Sequence, residues 1–102
     1  MAAGTIRKQP FEVKDYAMDF AGELVGNETL TLVSCEAVNL KTQADSTAEI
    51  ISDDPAPAVI GQTVVFWLKD GIDGDSHKIT LRVSTSTGQR LESDLDVFVV
   101  EE

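Results

Sequence analysis

The side chains that could do chemistry are few in this chain, and they form no known catalytic or metal-binding motif. His77 is the only histidine and Cys35 the only cysteine among 102 residues. A nucleophilic triad needs a base beside its nucleophile, and no Gly-x-Ser-x-Gly turn is present to expose a serine. One cysteine and one histidine also cannot supply the four ligands of a zinc site. The sequence therefore predicts neither an enzyme nor a cofactor-binding protein. We expect His77 to be a polar surface residue and Cys35 to be a small buried residue.

The segment from residue 70 to residue 75 is the best candidate for a bound ion. Asp70, Asp73 and Asp75 are interleaved with glycines, and calcium takes several carboxylate oxygens from loops that can curl around it. The spacing and the terminal glutamate of an EF-hand are missing. Aspartate and glycine are also the residues that a tight turn needs for its own backbone. We therefore expect at most a weak calcium site, in a turn that joins two strands of a hairpin.

The charge balance argues against two classes of partner. The net charge is −10, which would repel a phosphate backbone and makes nucleic-acid binding unlikely on electrostatic grounds. No run of eighteen apolar residues and no signal-peptide pattern occurs, so we expect neither a membrane span nor export through a signal. The lone cysteine leaves no internal disulfide and favours a reducing compartment such as the cytoplasm. We interpret the acidic composition mainly as a contribution to solubility. The alternative is that it attracts a partner with a basic surface.

The hydrophobic pattern is typical of short strands separated by turns. Apolar and polar residues alternate over several segments, and no segment of useful length has a helical period. The predicted strands cover residues 11–20, 29–38, a short piece of 48–52, 63–69, 76–86 and 91–100. About seven strands in one small domain, residues 11–102, indicate an all-β fold, specifically an antiparallel immunoglobulin-like β-sandwich, with a small barrel as the alternative.

The candidate core residues follow from the strand pattern. Tyr16 and Phe20 lie on the same face of the first predicted strand, and Val33 lies on the inward face of the second. Residues 63–69 form the most apolar run and include Trp67, the only tryptophan. We expect this run to be a central strand covered on both sides, with Trp67 between the two sheets.

The first ten residues have no periodicity, and we interpret residues 1–10 as a flexible N-terminal arm. Ile6 offers one apolar contact, while Arg7 and Lys8 give an acidic protein a local positive charge. An extended arm of this kind can add a strand to the exposed sheet edge of a neighbouring molecule. The arm would then help copies of the chain to assemble.

Several short segments give the chain a resemblance to a known family. These segments are Lys14–Asp15–Tyr16–Ala17–Met18–Asp19–Phe20, Leu24 with Gly26–Asn27–Glu28–Thr29–Leu30, Asp70–Gly71–Ile72–Asp73–Gly74, and the stretch from Ile79–Thr80 to Thr85–Ser86–Thr87–Gly88–Gln89–Arg90 followed by Glu92. In order and spacing they resemble tailed-phage fibre–tail adaptor or neck-type structural proteins. The resemblance spans roughly residues 10–100, although residues 39–59 match nothing recognisable.

The resemblance implies an immunoglobulin-like, non-catalytic structural subunit of a bacteriophage or prophage virion, in the tail, neck or fibre attachment region. Its partners would be other phage structural proteins, and it would form a homo-oligomer in the particle after synthesis in the host cytoplasm. The alternative is an immunoglobulin-like module of a bacterial cell surface or adhesin. An enzyme or a sugar-binding module is a further alternative that a tight specific ligand would reveal.

Overall fold

The computed structural model of the chain describes residues 2–24 and 26–101, with side chains from residue 4 onward. Its elements are the strands β1 (Ala2–Lys8), β2 (Lys14–Asp19), β3 (Leu30–Asn39), β4 (Ala58–Ile60), β5 (Thr63–Leu68), β6 (Ser76–Thr85) and β7 (Arg90–Val99), a 3-10 turn (Ala21–Glu23), and the short helix α1 (Thr47–Ile50). The all-β prediction is confirmed for the described residues.

The strands form two sheets. The larger sheet has the order β1-β7-β6-β3 and the smaller sheet has the order β2-β5-β4. All pairs are antiparallel except β1 with β7, which run parallel. Chain connections cross between the sheets after β1, β2, β3 and β5, so that neither sheet is built from one continuous stretch of sequence.

The inner faces of the two sheets share one hydrophobic core, which makes the fold a β-sandwich. Every second side chain is buried along β5 and β6, as the period of two requires. Phe20 is 2% exposed, and Tyr16 is half-buried with its ring 6.2 Å from that of Phe66. The core consists of Met18, Phe20, Leu30, Ala37, Ile50, Ile51, Val64, Phe66, Leu68, Ile79, Leu81, Val83, Leu95, Val97 and Val99.

Trp67 does not lie between the sheets, and that prediction was wrong. Val64, Phe66 and Leu68 are the residues of β5 that point into the core, each with no exposed surface. Trp67 alternates with them and is half-buried on the outer face, opposite Asp15 of β2. Because residues on both faces of this strand are apolar, composition alone could not show which alternate set points inward.

Val33 was also assigned to the wrong face. The pairing of β3 with β6 shifts between Leu32 and Ser34, which marks a β-bulge. An extra residue reverses the alternation along the strand. Val33 is therefore 63% exposed, whereas Ala37, beyond the bulge, is buried.

The N-terminal segment is part of the sandwich rather than a flexible arm. Residues 2–8 form β1, which pairs with β7 from Ala2↔Asp94 to Lys8↔Val99; Met1 lies outside the described residues. Ile6 packs against the core and Lys8 is only 1% exposed, so the arm prediction was wrong for two of its three residues. Of Ile6, Arg7 and Lys8, Arg7 is the one that is exposed. A parallel edge strand needs no two-residue turn to its partner, and therefore leaves no hairpin signal in the sequence.

Two local predictions need correction as well. Residues 48–52 do not form a strand: α1 occupies Thr47–Ile50, and Ile51 makes a single bridge to Leu68. Residues 70–75 do not close a hairpin, because β5 and β6 belong to different sheets. Hairpins lie on both sides of this connection, between β4 and β5 and between β6 and β7.

Candidate protein-interaction surfaces

The outer side of the larger sheet, formed by outward residues of β3, β6 and β7, is here called the charged face. Lys78 Nζ lies 3.5 Å from Asp94 Oδ2, and Arg82 Nε donates to Glu92 Oε1 at 2.7 Å. Glu36 Oε1 lies 3.9 Å from Arg82 Nη1. These are cross-strand neighbours brought together by the register of the sheet. The hydrogen bond and charge of Glu92 raise the pKa of Arg82. Several charges of this face are thus paired with one another.

The outer side of the smaller sheet, here called the apolar face, has a different composition. Its members are Ala17 of β2, Ala58 and Ile60 of β4, and Val65 and Trp67 of β5. The register places Ala17 beside Val65 and Val65 beside Ala58, so that three apolar residues form a row across the sheet. Ile60 is 64% exposed.

Two carboxylates border the apolar face on its β2 edge. Asp15 is paired with Trp67 and Asp19 with Thr63, and both aspartates are exposed. Asp19 Oδ1 accepts a hydrogen bond from the amide of Ala21 at 2.8 Å. Within the described part of the chain, neither aspartate is in an ion pair.

Two of the four edge strands, β3 and β4, offer little room for an added strand. On β3, the amide of Asn39 donates to Ala44 O at 2.9 Å, and the amide of Ser46 donates to Ala37 O at 2.9 Å, so residues 44–46 cover one end. The bulge at Val33 distorts the other end. β4 has only three residues. Short, bulged and covered edges are the usual protection against edge-to-edge pairing.

The acidic segment 70–75 has a structural role in this arrangement. Lys8 Nζ donates to Asp70 O at 2.6 Å and to Gln9 O at 2.9 Å, and burial lowers the pKa of Lys8. Gly71 has φ 101°, and a Cβ there would lie 2.8 Å from Val99 Cγ2. The connection can therefore pass close to the core only with glycine at this position.

The three aspartates predicted as a weak calcium site are engaged separately. Asp73 Oδ1 accepts from the amide of Glu101 at 3.0 Å, and Asp75 Oδ2 accepts from Asn39 Nδ2 at 3.2 Å. Asp70 contributes its carbonyl oxygen to Lys8. Among residues 2–24 and 26–101, no three His, Cys, Asp or Glu side chains are grouped so that they could hold a metal ion.

His77 is buried, contrary to the prediction of a surface residue, and it forms a pair that the sequence did not reveal. Its ring has no exposed surface, and Nδ1 lies 2.8 Å from Ser46 Oγ. Nε2 has no hydrogen-bond partner among the described residues. Ser46 is 4% exposed. A serine and histidine at this distance resemble part of a catalytic triad, but neither side chain is accessible to a substrate. The pair joins the residues before α1 to β6. The alternation along β6 was the signal that placed His77 inside.

A groove of about 540 Å³ runs beside α1, and Cys35, Ile51, Pro57 and Lys69 are among its lining residues. Burial raises the pKa of the Cys35 thiol to about 12, so the reactive thiolate is absent at neutral pH. In the described residues, no helix has both the length and the apolar character needed to cross a bilayer.

These features define a class of protein: a small β-sandwich with two unlike outer faces, suited to contacts with other proteins. The family model described as podophage GP4 fiber-tail adaptor protein gp77 matches residues 8–98, and the chain belongs to that family. No match was found among curated proteins.

Family membership establishes what the chain does in outline. It is a structural subunit of a phage particle, a tail-fibre adaptor that contacts other tail proteins. The resemblance seen in the sequence is confirmed, and the match also covers residues 39–59, which resembled nothing recognisable. The alternative of a bacterial surface or adhesin module is not favoured. The family suggests a structural rather than an enzymatic role.

Proposed function

We propose that this chain is a non-enzymatic, immunoglobulin-like adaptor that joins a fibre to the phage tail and is present in several copies per particle. The match of the adaptor family over residues 8–98 carries the proposal. The contrast between the charged and apolar faces supports it, because a protein that joins two components needs distinct surfaces for each.

The strand order supports an immunoglobulin-like topology. In the constant-type form of that fold one sheet contains the third, sixth and seventh strands, and the other contains the first, second, fourth and fifth. Here β3, β6 and β7 are neighbours in one sheet, and β2, β5 and β4 form the other. β1 lies beside β7, so the first strand joins the sheet of the last one. The crossings between the sheets after β2, β3 and β5 are those that this topology requires, whereas β1 departs from it by joining the sheet of β7.

The burial of the reactive groups supports a non-enzymatic role. Ser46 and His77 are enclosed in the fold, and the thiol of Cys35 stays protonated at neutral pH. A catalytic residue needs access to its substrate and a pKa near the working pH. Several copies are expected because protein assemblies around an axis repeat with its symmetry.

Genetic removal of the subunit tests the function. Particles assembled without this chain should have heads and tails but lack fibres, and addition of the purified chain should restore fibre attachment. A matched control is a chain with Phe66→Ala, which disrupts the core rather than any surface. Fibres on particles that lack the chain would contradict the adaptor function.

A further inference from the structure

We propose that the apolar face is the docking surface for a tail protein whose contact patch is apolar at its centre and carries lysine or arginine at its margin. The proposal rests on the adaptor function and adds to it the surface used and the chemistry of the partner.

The charged face costs more free energy to remove from water than the apolar face. Docking through the charged face would desolvate Lys78, Arg82 and their carboxylate partners, which already satisfy one another. Desolvating charged pairs offsets much of what a new contact gains. The central row of the apolar face consists of Ala17, Val65 and Ala58, none of which is charged. Removing this row from water is therefore favourable.

The shape of the apolar face also favours docking. Ala17 and Ala58 flank Val65 in its central row, and their small side chains allow a partner to approach the sheet closely. Trp67 and Ile60 are larger and lie toward opposite ends of the face. Interfaces are commonly anchored by a few large side chains, tryptophan above all, around which smaller contacts exclude water.

The charge at the margin of the apolar face favours a different protein over a second copy of this chain as the partner. Among the residues that the structure describes, Asp15 and Asp19 border the face without an ion pair, in a chain of net charge −10. A second copy presenting the same face would bring two more aspartates, which would repel Asp15 and Asp19. Lys69, which directly follows β5, lines the groove beside α1. A partner with basic residues at the margin would pair with both aspartates and would be attracted over a distance.

The experiment uses the full-length chain and, as the binding probe, purified particles assembled without it. Ala17→Arg places a long cation at the centre of the apolar face, and Thr31→Arg places the same residue on exposed β3 of the larger sheet as the control. We expect binding to the particles to weaken by about tenfold or more for Ala17→Arg and to be unchanged for Thr31→Arg. Circular dichroism of each variant checks folding. Should Ala17→Arg fail to fold, Ile60→Arg, at a side chain that is 64% exposed, makes the same test.

A second pair of variants tests the charge. Asp15→Asn with Asp19→Asn keeps the size of both side chains and removes their charge. The double variant should bind more weakly, and its affinity should depend less on salt concentration than that of the wild type. Asp15→Lys with Asp19→Lys should weaken binding further.

The outcomes separate the surface from the function. If the wild-type chain fails to bind the particles, the adaptor function fails and the docking surface with it. If the wild type binds and Ala17→Arg binds equally well, the adaptor function stands and the apolar face is not its docking surface. If the free wild type is a dimer that Ala17→Arg dissociates, the face binds a second copy, and the inference of a basic partner is overturned.

Discussion

The adjacent residues Phe66 and Trp67 should respond very differently to truncation, because they point to opposite sides of the smaller sheet. Phe66 has no exposed surface and stacks against Tyr16, whereas Trp67 is half-buried on the outer face. Phe66→Ala removes a ring from an enclosed core and leaves a cavity, at a cost of about 4 kcal/mol. Trp67→Ala opens to solvent and leaves no enclosed cavity, so only part of the transfer free energy is lost, about 1–2 kcal/mol.

The assay is urea unfolding followed by far-ultraviolet circular dichroism, since one variant lacks the tryptophan. Phe66→Ala should also lower the melting temperature by about 15–30 °C, because a domain of this size loses several degrees for each kcal/mol. Phe66→Leu, which keeps most of the core volume, serves as the control and should cost under about 2 kcal/mol. Equal losses for Phe66→Ala and Trp67→Ala, or a larger loss for Trp67→Ala, would refute the assignment of the two faces.

Three further outcomes follow from the structure. Deletion of residues 1–8 should lower the free energy of unfolding by about 3 kcal/mol or more, because β1 pairs with β7 and Ile6 packs on the core; unchanged stability in urea would mean that this segment is a dispensable tail. Alkylation of Cys35 in the folded protein at pH 8 should be about a hundredfold or more slower than in the urea-unfolded chain and should accelerate toward pH 12, since its thiol pKa is raised from 9.0 to about 12; equal rates would contradict its burial. Between pH 9.0 and about 12 the Cys35 thiol keeps its proton in the folded state, whereas the unfolded chain loses it. The contribution of Cys35 to the free energy of unfolding therefore falls as pH rises through this range. Millimolar calcium should change the melting temperature little, because Asp73 and Asp75 have separate hydrogen-bond partners; a rise of several degrees that Asp73→Asn abolishes would reverse this expectation.

Most strands could be predicted from the sequence because their periodicity is a direct consequence of one buried and one exposed face. In β6 and β7 the alternating residues Ile79, Leu81, Val97 and Val99 are all buried, as the pattern predicts. β5 lacks a polar face, so the hydrophobic pattern predicted a strand but could not show which of its two faces points into the core. A preference for tryptophan in the core then favoured the wrong alternate set.

The errors elsewhere have long-range causes. β1 is held by a strand that lies more than eighty residues away in the chain, and no local pattern records that pairing. The bulge at Val33 depends on the register with β6. His77 was assigned to the surface because it stands at the start of a strand directly after a turn, although its position in the β6 alternation pointed inward.

The candidate interaction surfaces were even less visible in the sequence. Ala17, Ala58 and Val65 come from three strands and meet only because β2 and β4 flank β5. The charged face likewise depends on the register that brings Arg82 opposite Glu92. The family resemblance indicated an adaptor, but it could not show which side of the sandwich is available to a partner.

The most direct test of the adaptor role is an averaged electron-microscopy map of intact particles compared with a map of particles assembled without this chain. We expect difference density of two packed sheets at the junction of fibre and tail, with the smaller sheet turned toward a neighbouring protein. We also expect fibre density to be lost together with the sandwich. Fibres that remain in place without the chain, or difference density confined to another part of the particle, would contradict the account.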